Sequence, residues 1–262
     1  MNLPVQTAGT DVNPPGGDEA SCGFATAVIT GAGGGMGTAT ARTLANKGWH
    51  VLCIDRDAPS LHRIQAELGA RCTVLHLEVQ HPDLIDRTLE CLALRPPVQA
   101  LVNMAGISRG GTLGTMSEED WALSFAVNVT PAMRLIQALG PLMQARQKGS
   151  ILNVGSPVGI VGARKPQYAA SNAALHGLTM SAARALGSEG IRVNLLLPGP
   201  TITGMTADWS DEQRERVAQG TFLKRMCQPE EIGEMVAFLV SDNSRYLTAS
   251  VIDMTAGSMM GH

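Results

Sequence analysis

The sequence predicts an α/β fold, a doubly wound parallel sheet in a single domain. Three observations lead there. From residue 24 onward, short β-branched runs alternate with longer segments of helical spacing. The short runs are apolar throughout rather than alternating, as strands become when helices cover both faces of a sheet. The first run passes directly into Thr30-Gly31-Ala32-Gly33-Gly34-Gly35-Met36-Gly37, after which a helical pattern begins. Repeated strand–helix–strand order requires right-handed crossovers, and the ligand crevice of such a sheet lies beyond the carboxyl ends of its strands.

Residues 1–23 are rich in Pro, Gly and small polar side chains. They hold too little apolar area to offset chain ordering, so a flexible leader is expected, followed by one domain over 24–262. Strands are predicted at 25–30, 50–55, 73–77, 98–103, 150–155, 192–197 and 250–254. Helices are predicted at 36–47, 58–68, 82–94, 118–147, 167–187 and 229–241, with a shorter excursion near 204–219. A break in the fourth helix is expected around Pro131, which cannot donate to the helical ladder. There is neither an internal repeat nor a linker that divides the chain.

Composition excludes several functions. A net charge of −3, with 16% charged and 3% aromatic residues, gives neither a basic face nor stacking platforms for nucleic acid. No uninterrupted apolar run reaches the ~18 residues of a membrane helix. The first residues lack the basic and apolar regions of a secretion signal, so a cytoplasmic location is expected. The five cysteines (Cys22, Cys53, Cys72, Cys91, Cys227) are scattered and odd in number. Reduced, mostly buried thiols are expected, with no disulfide framework and no metal site.

The glycine-rich segment is the first candidate site. Glycines let a backbone approach a pyrophosphate closely, and a helix N-terminus adds free N–H groups and a favourable dipole. The second strand ends at Asp55, placed to accept hydrogen bonds from adenosine ribose hydroxyls or else to serve as a turn residue. An acid there repels a 2′-phosphate, and Gly34 stands where a basic residue could have bound one. NAD is therefore favoured over NADP. Arg56 follows, either solvated or lying over the adenine.

Read together, the motifs resemble the short-chain dehydrogenase/reductase family, whose fold is of the Rossmann type. Thr30, Gly31, Gly35 and Gly37 match its T-G-x-x-x-G-x-G fingerprint, with Met36 inside it. Asn103-Met104-Ala105-Gly106 resembles its N-N-A-G, Glu78-Val79 its Asp-Val pair beside the adenine, and Pro198-Gly199-Pro200-Thr201-Ile202-Thr203 its P-G-x-x-x-T. Asn128 falls at the family's helix-borne Asn, and Ser156 and Tyr168 at its Ser…Tyr pair. Segments 229–239 and 251–257 are also family-like, so the resemblance runs from about residue 25 to residue 257. It implies Asn103, Ala105, Gly106, Thr201 and Thr203 as cofactor contacts. It further implies that Tyr168 gives or takes a proton, Ser156 hydrogen-bonds the substrate oxygen, and Asn128 holds a water.

One position departs from the family. Four residues after Tyr168 the family places a lysine that grips the nicotinamide ribose and lowers the tyrosine pKa; this chain has Asn172. Its amide sits on the same helix face, where it can still hydrogen-bond the ribose, but it brings no charge. Arg164, Lys165 and His176 are the nearby residues that could carry a proton or a cation. Two functions follow: an NAD-dependent dehydrogenase or reductase of alcohols and ketones, or an NAD-binding pseudoenzyme or oligomer scaffold. Ile107, Val158 and Met205 suggest an apolar pocket for a neutral or hydrophobic substrate, and 205–219, with Trp209, a lid. The resemblance implies a homotetramer built through 118–147, 167–187 and the final strand.

Overall fold

The computed structural model describes residues 25–259, so the expected leader at 1–23 lies outside the described residues. Seven strands run β1 Thr26–Thr30, β2 His50–Asp55, β3 Cys72–His76, β4 Val98–Asn103, β5 Gly149–Val154, β6 Ile191–Pro198 and β7 Val251–Met254. They form one parallel sheet in the order β3-β2-β1-β4-β5-β6-β7. The order reverses between β1 and β4, and the crevice at that switch point lies outside their carboxyl ends.

The helices are α1 Gly35–Asn46, α2 Ala58–Leu68, α3 Leu84–Leu92, α4 Glu118–Asn128, α5 Thr130–Gln144, α6 Val158–Val161, α7 Pro166–Leu186, α8 Asp211–Gln219 and α9 Pro229–Val240. Successive strand residues feed opposite layers, because side chains alternate across a pleated sheet. Ala27, Ile29, Val51 and Cys53 pack with Leu44 of α1, Leu61 of α2 and Val236 of α9. Val28, Leu52, Ile54 and Leu101 pack with Leu84 of α3, Leu135 and Leu139 of α5 and Ala182 of α7. Both layers hold fully buried side chains, which is why the central strands read as unbroken apolar runs.

The expected helix over 118–147 is two helices. It breaks at Val129 (φ −123°, ψ −56°), two residues before Pro131, and ends at Gln144. Proline's missing N–H removes one ladder bond and its ring crowds the preceding turn. Across that break, an 18-residue window within Glu118–Gln144 reaches mean hydropathy 1.2, long and apolar enough in composition to cross a membrane. Here its Leu135, Leu139 and Met143 are buried in the second core layer. The excursion near 204–219 is a short turn, Gly204–Thr206, followed by α8. The one-turn α6 was not anticipated, since four residues carry no periodicity. Cys53 and Cys72 are buried, Cys91 and Cys227 half-buried, and all four are free thiols.

Candidate active site

The glycine segment makes a cradle in which side chains cannot fit. Gly31 has φ +70°, and a Cβ there would stand 2.8 Å from the Ala105 backbone nitrogen. A Cβ on Gly37 would overlap the Gly31 carbonyl oxygen. The bend thus lies flat against the β4 loop on one side and on the first turn of α1 on the other. Gly34 caps the 12-residue α1 without a side-chain hydrogen bond, leaving the first amides of the helix available for an anion. A bare backbone cradle and uncapped amides fit the diphosphate of a dinucleotide.

Thr30 locks this cradle to the neighbouring strand. Its Oγ1 accepts hydrogen bonds from the Met104 and Ala105 amides at 3.1 and 3.2 Å. At the end of β2, Asp55 Oδ2 accepts from the Gly33 amide and Oδ1 from the Asp57 amide, both at 2.9 Å. Gly33 must be small, because its Cβ would lie 2.9 Å from the Asp55 carboxyl carbon. The carboxylate is therefore held in place before any ligand arrives, with lone pairs left over.

A cleft of about 520 Å³ runs along the switch point. Gly31, Gly35, Met36 and Gly37 line it at the loop, Asp55, Arg56, Glu78 and Val79 at one end, and Ala105, Gly106 and Thr203 along the wall. Ile107, Arg109, Leu123 and Val127 also line it. The sequence reading missed Arg109, Leu123 and Val127. Leu123 and Val127 are four apart on α4 just before Asn128, a helical spacing that could have marked them.

Four predicted residues have side chains committed elsewhere. Asn103 Nδ2 donates to Asn153 Oδ1 at 2.8 Å, and Asn153 Nδ2 donates to Thr179 Oγ1 at 2.9 Å, linking β4, β5 and α7 beneath the cleft. Thr201 Oγ1 donates to the Gly199 carbonyl at 2.9 Å. Asn128 Oδ1 accepts from the Ile107 amide at 2.8 Å, while its Nδ2 donates to the Ile107 carbonyl and to Ser171 Oγ. Asn172, 7% exposed, donates Nδ2 to the Tyr168 carbonyl at 2.8 Å.

Ser156, just past β5, and Tyr168 and Asn172 on α7 converge. The Tyr168 phenol is half-buried, and Ser156 and Asn172 are the polar side chains that act on it. Burial is the dominant influence and pushes the phenol above its ordinary value of 10; the two side chains pull it partly back. No cation contributes. Lys165 Nζ donates instead to the Ser108 carbonyl at 2.8 Å, Arg164 is exposed and His176 half-buried. Val158 begins α6, and the Met205 side chain lies outside what is described.

A glycine cradle at the switch point of a parallel sheet, with an acid ending the adjacent strand, defines the Rossmann class of dinucleotide-binding folds. Comparison narrows this. The family described as enoyl-(acyl carrier protein) reductase matches residues 31–258. The chain is 36% identical over 236 residues to the 3-oxoacyl-[acyl-carrier-protein] reductase FabG of Escherichia coli (strain K12), covering 89% of this chain and 97% of that protein. It is 35% identical over 251 residues to the (3R)-3-hydroxyacyl-CoA dehydrogenase of Rattus norvegicus, covering 90% and 96%. The FabG of Thermotoga maritima is 35% identical over 235 residues, covering 88% and 96%. The chain belongs to the short-chain dehydrogenase/reductase family, which binds a nicotinamide dinucleotide.

Proposed function

We propose that the protein is an NAD-dependent oxidoreductase that interconverts a secondary alcohol and a ketone. The observation that carries this is the grouping of Ser156, just past β5, with Tyr168 and Asn172 of α7, in a fold whose switch-point cleft is lined by the glycine segment and Asp55. When bound, the nicotinamide supplies or accepts the hydride. Tyr168 gives its proton to the carbonyl oxygen in reduction and takes it back in oxidation, and the Ser156 hydroxyl stabilises the developing alkoxide. Asn128, beyond its clamp on Ile107, would order a water toward solvent, and Asn172 has Oδ1 for a ribose hydroxyl.

The Asp55 carboxylate, fixed by the Gly33 amide, supports NAD over NADP. It accepts ribose hydroxyls and repels a 2′-phosphate. Arg56, Glu78 and Val79 would flank the adenine, with Gly31, Gly35, Met36 and Gly37 at the diphosphate. Asn103, Ala105, Gly106, Thr201 and Thr203 would border the remainder of the dinucleotide. Ile107, Leu123 and Val127 give the cleft apolar walls, consistent with a neutral or hydrophobic substrate. The relatives' names point to 3-oxoacyl and 3-hydroxyacyl thioesters as the first compounds to try. Exposed Trp121, Leu142 and Val251 support a homotetramer assembled through α4, α5, α7 and β7.

A second reading is a dinucleotide-holding pseudoenzyme, favoured by the Asn172 amide being bonded to its own helix in place of a cation. Nicotinamide absorbance with a panel of secondary alcohols, ketones and 3-oxoacyl thioesters separates the two. Turnover with NAD(H) supports the enzyme. Binding without turnover, even at alkaline pH, leaves the pseudoenzyme.

A further inference from the structure

The segment 107–111, which follows β4 and lends Ile107 and Arg109 to the cleft wall, is held by side chains at almost every carbonyl. Asn128 of α4 takes both backbone groups of Ile107. Lys165, capping α7, donates Nζ to the Ser108 carbonyl at 2.8 Å. Gln167, fully buried, donates Nε2 to the Arg109 carbonyl at 2.8 Å and to the Gly111 carbonyl at 3.3 Å. Gly110 has φ +94°, and a Cβ on it would strike Gln167 Nε2 on one side and Asp120 on the other. A loop without secondary structure would ordinarily give these carbonyls to water. Here the cation of the α7 N-cap and an amide of its first turn take these carbonyls, within three residues of Tyr168.

We propose that Lys165 and Gln167 are positioning residues that fix the 107–111 wall against α7 and thereby set how tightly substrate is held beside Tyr168. This rests on the reading given under Proposed function. Lys165 then acts through the wall and does not stand in for the cation missing at residue 172, in keeping with its absence from the influences on the phenol. Charge-assisted bonds of this kind are the stronger ones, and a buried amide without its partners is costly, so losing either donor should loosen the wall. Without it, substrate binding suffers while the proton-transfer group stays intact.

The test uses the full chain with Lys165→Met, Gln167→Glu and Lys165→Arg. Gln167→Glu keeps the shape but replaces the donor with an acceptor facing two carbonyls. Two readouts are taken: the rate of trypsin cleavage after Arg109, whose side chain is 68% exposed, and steady-state kinetics across pH. Met and Glu variants should be cut after Arg109 about tenfold faster. Their KM for the alcohol or ketone should rise about fivefold or more, with kcat within twofold and its pH profile unchanged. Lys165→Arg, which keeps a cationic donor, should return both readouts toward those of the natural chain. Unchanged cleavage overturns the proposal, as does faster cleavage with an unchanged KM or with a shifted pH profile. If the natural chain turns over nothing, the oxidoreductase reading falls, and so does the substrate-affinity role; the cleavage rates then judge the staple alone.

Discussion

Asn172 donates its side-chain amide to the backbone carbonyl of Tyr168, 2.8 Å away and one helical turn back. The residue that could have placed a charge beside the phenol instead stabilises the helix that carries it. Ser171 Oγ donates to the same carbonyl at 3.0 Å. The phenol therefore feels burial and two neutral partners, and its pKa stands above 10. Below that value the proton stays on. With Tyr168 as the proposed proton donor, reduction should be insensitive to this group up to about pH 10. With its phenolate as the proposed base, oxidation should climb about tenfold per pH unit through the neutral and mildly alkaline range. Initial rates in both directions between pH 6 and 10.5 check this, and a plateau in oxidation below pH 8 would contradict it.

Asn172→Lys should move the oxidation profile to lower pH and raise activity near neutrality. A cation ~4 Å away at an effective dielectric of ~20 contributes on the order of 4 kcal/mol. That is roughly 3 pK units at ~1.4 kcal/mol each, an upper bound for a longer separation. Asn172 packs beside Gly155, whose missing Cβ would stand 3.3 Å from Oδ1, so the neighbouring backbone is bare where a longer side chain must pass. An unchanged profile would show that the phenol is not governed from this position.

Asp55→Ala should weaken NAD binding about 10- to 100-fold and relax discrimination against NADP. Hydrogen bonds to a charged group contribute about 1.5–3 kcal/mol each, and the Gly33 amide also loses its acceptor. The ratio of kcat/KM values for the two dinucleotides is the measurement. Undiminished preference for NAD would discredit the ribose assignment.

Glu231→Ala should lower the Tm by about 2–4 °C near pH 7. Glu231 closes a capping box on α9 through the Gln228 amide and pairs with both arms of Arg225 at 2.7 Å. Loss of a cap costs about 1 kcal/mol, and the partly exposed ion pair adds little. Arg225, and after it the Gln228 amide, hold the carboxyl down at about 2, below its ordinary 4.5. Its contribution is thus complete above pH 4.5 and disappears as pH falls toward 2. Melting curves of the two chains should converge in that window.

Much of this was legible in the sequence. The spans 50–55, 98–103 and 58–68 were read to the residue, because continuous apolar runs and helical spacing report local burial directly. Gly31 and Gly37 were legible for a related reason, since backbone crowding leaves glycine as the only fit. Hydrogen-bond direction was not. Nothing in the letters says that Asn128 spends its amide on Ile107, or that Lys165 faces Ser108, because those partners lie 21 and 57 residues away. Gly33 was likewise seen as part of a glycine run, and its fit to the Asp55 carboxylate appears only once β2 lies beside β1.

The pair of hydrogen bonds accepted by the Thr30 hydroxyl has a mechanical consequence. It fastens the loop after β4 to the end of β1, on top of the backbone ladder that already joins the two strands, so the floor of the cleft behaves as one rigid piece along that edge.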